Sequence, residues 1–282
     1  MPKDFRPTAL ERAVGRTLSR WRDDRDLSLV EAGRRVGFSS AKLSMMENAI
    51  QPSAIFDVMA LGYVYKVPTA EWQHLMAQAQ HAADLRKSGQ PRATIFDPAE
   101  DFPLLIADAT RLRVFAVDAP PTIFQLAEHT AATMSDDLIN LAQLTRTREA
   151  WATRATGSDP VPVEAVLTEA AVQGASGNRR AMRAQLLHLM EMSELPEVSL
   201  RVVPQSVAAC PAMNFSFTWL SFAHRQHDDV VYTETFLRSE YVETRAQVER
   251  VADRFSALQA LTLDEGDSLE LIAEAAARMS QQ

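Results

Sequence analysis

The strongest constraint on the fold is the segment Leu27–Asn48, in which one glycine separates two short helical patterns. The first pattern covers Leu29–Val36, and the second begins shortly after Gly37 and ends near Asn48. A glycine directly after a helical run favours helix termination, because it adopts the left-handed backbone conformation without strain. The segment therefore predicts two short helices joined by a tight turn.

Serines stand where both of these helices would begin. Ser28 is followed by Glu31 at the spacing of a capping box, in which each side chain bonds the backbone N–H of the other. Ser39 or Ser40 can cap the second helix. Gly33 is small enough to let the two helices approach each other closely.

Similar patterns on both sides extend this region to five helices. The added patterns are Leu10–Trp21 after a capping box at Thr8, Ala54–Tyr63 with Ser53 as its cap, and a run from Pro68 to about Arg86. The stretch Lys87–Pro103 is rich in Gly, Ser and Pro, which are typical of a linker. We predict a mainly α, five-helix domain over residues 1–86, a linker over 87–103 and a second domain over 104–282.

The second domain mixes helical and strand-like patterns, which favours an α+β fold over a doubly wound sheet. The helical patterns are Asp136–Arg154, Arg179–Glu194, Thr244–Ala260 and Ser268–Met279. The β-rich runs are Ala165–Val172, Val198–Val203, Asn214–Phe222 and Asp229–Phe236.

Two crossed helices of this kind place the start of the second helix in the DNA major groove when they act as a helix-turn-helix. Serine hydroxyls can donate to or accept from base edges and phosphates. Arginines on the first of the five predicted helices, the one that begins near Leu10, can line phosphates. Arg12 and Arg22 are further cations of that helix, and their alternative is a solvated face paired with nearby aspartates. The predicted DNA-binding residues are Arg16, Arg20, Ser28, Ser39, Ser40, Lys42, Ser44, Met45 and Asn48.

The charge distribution agrees with a DNA-binding N-terminal domain. The whole chain carries a net charge of −8, but residues 1–66 hold 11 Lys and Arg against 8 Asp and Glu. The remaining residues hold 18 basic against 29 acidic side chains. A basic N-terminal part on an acidic body indicates a polyanion-binding module joined to a domain with another role.

Residues 10–65 resemble the Cro/cI-type helix-turn-helix of the XRE family of regulators, from the Leu-Ser start and the Gly-Phe-Ser turn to Glu47 at the end of the second helix. The sequence departs from the family pattern at Leu29, Met45 and Ala49, where Gln, Arg and Gly are common. The resemblance implies binding of double-stranded operator DNA. Because most such readers bind two half-sites, we expect a homodimer.

Residues 100–280 are similar to the domain of unknown function that follows this helix-turn-helix in WhiJ-type actinobacterial regulators. The matching stretches are Pro121–Gln125, Val166–Ala171, Met182–Leu186, Val198–Pro204 and Val230–Glu234. The resemblance implies a transcription regulator that is often encoded beside small acidic partner proteins. It implies no enzyme activity, no cofactor and no established ligand.

Three groups of residues in the second domain have side chains that could form a chemical site. His224 and His227 have a spacing found in metal sites, but a solvated hairpin turn between two strands explains them better. Glu169 and Glu234 could converge as paired carboxylates, and the preferred alternative is a bond to a neighbouring strand or arginine. Cys210, the single cysteine, has no evident histidine partner. We therefore predict no enzyme and no metal site.

Aromatic and methionine side chains of the second domain could line an apolar pocket, although core packing accounts for most such residues. They are Met182, Met190, Met192, Phe215, Phe217, Trp219 and Phe222. We expect this domain to sense a small-molecule effector or bind a partner protein, in a cytoplasmic chain without a membrane segment. Two alternatives stay open: a protein-interaction module with a degenerate helix-turn-helix, and an enzyme tethered to DNA.

Overall fold

The computed structural model describes residues 5–88, 95–133, 141–174, 178–207, 215–235 and 238–280. The chain forms two compact units. The N-terminal unit comprises Met1–Asp97 and His224–Asp228, and the sheet unit comprises Pro98–Ala223 and Asp229–Gln282. Cys210 lies outside the described residues. No helix among the described residues is both long and apolar enough to cross a membrane.

The N-terminal unit contains all five predicted helices. They are α1 (Ala9–Asp23), α2 (Leu29–Val36), α3 (Ser40–Glu47), α4 (Ile55–Val64) and α5 (Thr69–Ser88). Their apolar sides meet in one core, in which Leu18, Leu43 and Leu61 are fully buried. Burial of such side chains supplies most of the stability of short helices, which are marginal in isolation.

The ends of these helices follow the predicted caps with one exception. Thr8 and Ser28 form complete capping boxes with Glu11 and Glu31, so two backbone donors at each helix start are satisfied. Ser39 caps α3 through the backbone N–H of Lys42. The N-cap of α4 is Ala54 rather than the predicted Ser53, and no side chain bonds its first turn.

The sheet unit is a mixed sheet with helices before, between and after its strands. Its elements are α6 (Pro98–Asp108), β1 (Arg111–Ala116), a 3-10 turn (Thr122–Phe124), α7 (Ala127–Thr133), α8 (Leu141–Thr156), β2 (Val163–Thr168), α9 (Glu169–Gln173), α10 (Arg179–Ser193), β3 (Val198–Val203), β4 (Phe217–Ser221), β5 (Val230–Glu234), β6 (Ser239–Val242), α11 (Arg245–Gln259) and α12 (Glu265–Arg278).

The six strands lie in the order β3-β2-β1-β4-β5-β6. The pairs β1–β2 and β2–β3 are parallel, and their connections carry helices α7 to α10. The remaining three pairs are antiparallel and run as a meander. The fold is thus α+β, as predicted, although half of the sheet is built from parallel strands with helical crossovers.

Helices pack on both faces of this sheet. Phe255 of α11 lies against Phe217 and Trp219 on one face, with ring centroids 6.2 and 6.3 Å apart. Phe102 of α6 stacks at 3.8 Å on Tyr232, whose neighbour Val231 packs with the α11 cluster. Successive side chains of a strand point to opposite faces, so α6 and α11 cover the sheet from its two sides.

The structure differs from the sequence prediction in three places. The run Ala165–Val172 is not one strand, because Thr168 caps α9 by accepting a hydrogen bond from Ala171 N at 3.3 Å. Helix α6 occupies part of the predicted linker, and it includes Pro103 in its interior. Strands β1 and β6 carry no prediction in the sequence analysis.

Candidate nucleic-acid interface

The position of α3 is fixed by close contact with α1. Leu43 and Met46 are fully buried on the inner side of α3. A Cβ atom at Gly15 of α1 would come within 2.6 Å of Glu47 O and 2.9 Å of Met46 O. Only glycine allows the backbones to approach this closely, so Gly15 sets the distance between α1 and the end of α3.

A buried ion pair joins the same two helix ends. Arg22 Nε donates to Glu47 Oε1 at 2.8 Å, and Arg22 Nη2 donates to Oε2 at 2.7 Å. The side chains are 13% and 5% exposed, and the Glu47 hydrogen bond raises the pKa of Arg22. Arg22 Nη1 also donates to Leu27 O at 2.9 Å. One guanidinium therefore links α1, α3 and the start of the α2 region in a fixed geometry.

The turn between α2 and α3 uses both predicted glycines. Gly37 adopts φ 82°, the left-handed conformation in which other residues are strained. The backbone N–H groups of Gly37 and Phe38 both donate to Gly33 O at 2.8 Å. A Cβ at Gly33 would lie 2.6 Å from Phe38 O, so the small residue makes room for the turn itself.

The outer side of α3 presents polar groups to solvent. Ser39, Ser40 and Asn48 are exposed, whereas Ser44 and Met45 are partly buried. Because Ser39 is the N-cap, its oxygen accepts from Lys42 N at 3.1 Å while its hydroxyl proton stays available. Asn48 Nδ2 donates to Ser44 O at 2.8 Å, which turns this amide back onto its own helix.

Lys42 is held in place by neighbouring side chains. Its Nζ lies 2.9 Å from Asp57 Oδ2 of α4 and 3.7 Å from the centre of the Phe38 ring. Lys42 therefore ties the turn and α3 to α4.

The arginines of α1 divide into two groups. Arg20 is exposed and Arg16 is partly buried. The phosphate contacts of both residues stay predictions. Arg12 and Arg22 are turned to the interior, and Arg12 is 4% exposed with Nη2 donating to Asp228 O at 2.6 Å. The sequence analysis left these two arginines open between phosphate contacts and a face paired with aspartates, and Arg22 Nη1 does lie 2.6 Å from Asp23 Oδ1.

Two exposed cations were missed by the sequence analysis. Arg34 and Arg35 lie in the last turn of α2, and neither forms an ion pair with any residue that the structure describes. Ser28, at the other end of α2, is exposed and donates to Glu31 Oε2 at 2.8 Å. A count of charges along α2 could have drawn attention to both arginines, since they follow directly in the sequence.

The segment His224–Asp228 belongs to the N-terminal unit. Gln226 Nε2 donates to Phe5 O at 3.0 Å, and His227 Nε2 lies 3.1 Å from Asn48 O. Arg6 Nη1 lies 3.0 Å from Asp228 Oδ1. The segment is a hairpin turn, as predicted, and its hydrogen bonds to protein groups replace the solvated state that was expected. Among the described residues, no cluster of His, Cys, Asp and Glu could hold a metal ion.

Of the two glutamates that could form a carboxylate pair in the sheet unit, Glu169 has a structural role. Glu169 is the first residue of α9 rather than part of a strand, and its Oε2 accepts from Gln205 N at 2.6 Å. Arg201, on the neighbouring β3, lies 3.7 Å from Glu265. Glu234 ends β5. Glu169 therefore serves a backbone contact, the kind of bond that the sequence analysis preferred.

The residues suggested to line an apolar pocket lie in different parts of the sheet unit. Phe217 and Trp219 pack against α11, whereas Phe215 is 50% exposed. Met182 is buried on α10 and lies outside the cluster that Phe217 shares with α11. Core packing thus accounts for the aromatic strand residues.

A buried polar cluster lies between the 3-10 turn, α7, α8 and α10. Gln185 is fully buried; its Oε1 accepts from Leu126 N at 2.7 Å and its Nε2 donates to Phe124 O at 2.8 Å. Arg148 Nη2 donates to Thr130 Oγ1 at 2.6 Å. Burial lowers the pKa of His129, and the positive charge of Arg148 lowers it further. The cluster fixes the turn that begins α7.

Comparison with known proteins identifies both parts of the chain. A helix-turn-helix domain model matches residues 13–75, in agreement with α1 to α5. The model of a domain of unknown function, DUF5753, matches residues 100–274. No curated protein and no protein of solved structure matches the chain. The helix-turn-helix domain supports DNA binding. The DUF5753 match covers more than half of the chain, so the chain belongs to the DUF5753 family.

Proposed function

We propose that this chain is a sequence-specific transcription regulator of the Cro/cI type, which binds operator DNA as a homodimer in the cytoplasm. The observation that carries the proposal is the two-sided character of α3. Its inner side is anchored by Leu43, Met46 and the Arg22–Glu47 pair, and its outer side is polar and accessible. A rigid helix with an open polar face is what insertion into a major groove requires.

Each candidate contact follows from its position. Ser39 and Ser40 stand at the start of α3, where helix N-termini attract phosphate and hydroxyls can reach base edges. Ser44 lies one turn further along α3. Ser28 begins α2 and offers a second helix N-terminus. Arg20 provides an exposed charge for a phosphate, and such contacts position the protein without reading sequence.

We further propose that the sheet unit acts by binding an effector or a partner protein, not by catalysis. Support comes from the carboxylate that was considered for chemistry, because Glu169 is engaged by the backbone of Gln205. This hydrogen bond holds the Glu169 side chain against the turn after β3, which gives the carboxylate a structural role.

The test begins with genome-wide footprinting to obtain an operator, followed by fluorescence anisotropy of the full chain on operator and scrambled DNA. Ser40→Ala should weaken operator binding by roughly 1–3 kcal/mol and relax preference at one base position. Arg20→Ala should weaken binding to both DNAs alike and reduce the salt slope by about one. Ser256→Ala and Arg250→Ala, exposed positions on α11, serve as matched controls. Equal losses on both DNAs for Ser40→Ala would contradict the assignment of α3.

A further inference from the structure

One face of α4 is apolar and uncovered. Val58 and Leu61 are fully buried on the inner face of this helix. On its outer face, Phe56 is 76% exposed, Met59 38% and Tyr63 80%. Residues three, four and seven positions apart share one side of a helix, so these three side chains form a continuous strip.

This strip contains no charged side chain. Ala60 completes it, and the single charged residue of α4, Asp57, is held by Lys42 at 2.9 Å. Exposed side chains on helices are usually polar, and a contiguous apolar patch of this kind marks an interaction site. The strip is here named the α4 face and consists of Phe56, Met59, Ala60 and Tyr63.

We infer that the α4 face is the surface through which two copies of this chain pair. The inference rests on the proposed function and deepens it, because it names the surface that a homodimer would use. A two-fold interface places the same patch against itself, so a charged patch would repel its own copy. The α4 face is neutral and avoids this repulsion. An acidic partner would instead be met by cations, and this face carries none.

The order of side chains along α4 suits an antiparallel pairing. A two-fold axis between Met59 and Ala60 places Phe56 opposite Tyr63 of the second copy, at both ends of the strip. Offset or edge-to-face aromatic pairs of this kind add about 0.5–1.5 kcal/mol each beyond their buried area. The smaller side chains in the middle allow the two helices to approach.

The area of the α4 face predicts a weak dimer. An aromatic side chain buries about 150–250 Å². Two mostly exposed aromatic residues from each copy, with Met59, therefore give roughly 600–1,000 Å² in total. Stable specific interfaces begin at about 1,200 Å². The pairing should therefore be reversible in solution and should become complete when two copies occupy adjacent half-sites.

The Lys42–Asp57 ion pair connects this surface to the DNA-binding helix. Because Lys42 belongs to α3 and Asp57 to α4, the orientation of two paired α4 helices is passed on to their α3 helices. Pairing at the α4 face would thus fix the relative placement of two recognition helices.

Cysteine cross-linking of the full chain in the absence of DNA tests the pairing. In a Cys210→Ser background, Met59→Cys lies beside the two-fold axis and should form a covalent dimer under mild oxidation. Phe56→Cys is the matched control, because Phe56 of the two copies are separated by about 10 Å along the helix axes. That separation exceeds the reach of a disulfide.

Sedimentation of the variant Phe56→Ser/Tyr63→Ser gives a second readout. We expect its dimer dissociation constant to rise at least tenfold and its affinity for a palindrome to fall about a hundredfold. Affinity for a single half-site should stay within about twofold, and thermal unfolding should be unchanged, because both side chains are exposed. Leu104→Ser/Leu187→Ser, at exposed apolar positions of the sheet unit, is the control.

Two results would overturn the inference: no cross-link at Met59→Cys, or wild-type dimerisation in Phe56→Ser/Tyr63→Ser. If Phe56→Ser/Tyr63→Ser still dimerises but no longer binds a different protein that the wild-type chain binds, the inference is also overturned. The α4 face would then be the binding site of that other protein. A chain that cross-links at Met59→Cys but does not select DNA would refute the proposed function alone. A chain that selects a palindrome but does not cross-link would refute this inference alone.

Discussion

The two units of this chain are stabilised by contacts of different range. In the N-terminal unit, successive helices are set by caps, by Gly37 and by the ion pair between Arg22 and Glu47. In the sheet unit, β1 pairs with both β2 and β4, which lie far along the chain. The comparison teaches that the helices of the N-terminal unit are defined mainly by residues close to one another in the sequence. The sheet unit depends instead on the pairing of strands that are far apart in the sequence.

The largest effect is expected at the ion pair of the N-terminal unit. Removal of one partner by Glu47→Ala leaves the largely buried Arg22 guanidinium paired with the exposed Asp23 alone among the described residues, a loss of up to about 3 kcal/mol in the free energy of unfolding. Urea unfolding followed by tryptophan fluorescence measures it, since Trp21 is buried in this unit. Arg20→Ala, an exposed arginine of the same helix, should change stability by less than about 0.5 kcal/mol. A similar small loss for Glu47→Ala would show that this module is held by apolar packing alone.

The sheet unit has its counterpart in Gln185. Gln185→Leu removes both hydrogen bonds and leaves Leu126 N and Phe124 O unpaired in the interior, which costs about 1–3 kcal/mol. Calorimetry should show the loss in the transition of the sheet unit. Glu191→Ala on the exposed side of the same helix is the control. An unchanged transition would mean that the α7 turn is held by other contacts.

Two helix ends of the N-terminal unit allow a smaller, paired test. Gly37 at the end of α2 and Lys66 after α4 both have positive φ, at 82° and 54°. Lys66→Gly should stabilise the unit by about 1 kcal/mol, and Gly37→Ala should destabilise it by a similar amount. Thermal unfolding of both variants measures the two shifts. Shifts of the same sign would contradict the role of backbone strain at these ends.

The smallest effect is expected from pH and is confined to the sheet unit. Because the pKa of folded His129 lies below its ordinary value of 6.5, the unfolded chain binds more protons as the pH falls below 6.5. Stability should therefore decrease from pH 6.5 downwards until the folded pKa is reached, and be retained above pH 6.5. His129→Gln should lose part of this dependence. If the stabilities of the wild-type chain and of His129→Gln change with pH in parallel, His129 is not a source of the pH dependence.

The sequence predicted the N-terminal unit well because its signals are local. Ser28 with Glu31, and Gly37, each mark a helix end within a few residues, and all appear in the structure. The contact of Lys42 with Asp57 was not predicted, because Asp57 belongs to another helix and gives no local signal. DNA binding by Lys42 stays a prediction. The contact of Arg12 with Asp228 was not predicted for the same reason, since Asp228 is distant in the chain.

The sheet unit was predicted less completely. Parallel pairing of β1 with β2 requires a crossover that periodicity alone does not reveal, and β1 was missed. Thr168 ends β2 and caps α9, so one apolar run contains two elements. The DNA-binding roles of Ser39, Ser40 and Ser44 stay predictions, because hydroxyl positions on a helix do not show which groups meet DNA.

The central claim is tested most directly by titrating the full chain onto its footprinted operator and onto scrambled DNA of equal length at several salt concentrations. We predict that the chain binds its operator at least about a thousandfold more tightly than it binds scrambled DNA, and that log affinity falls linearly as log salt concentration rises. Equal affinity for the two DNAs, or no salt dependence, would contradict it. The helix-turn-helix would then serve as a protein-docking surface.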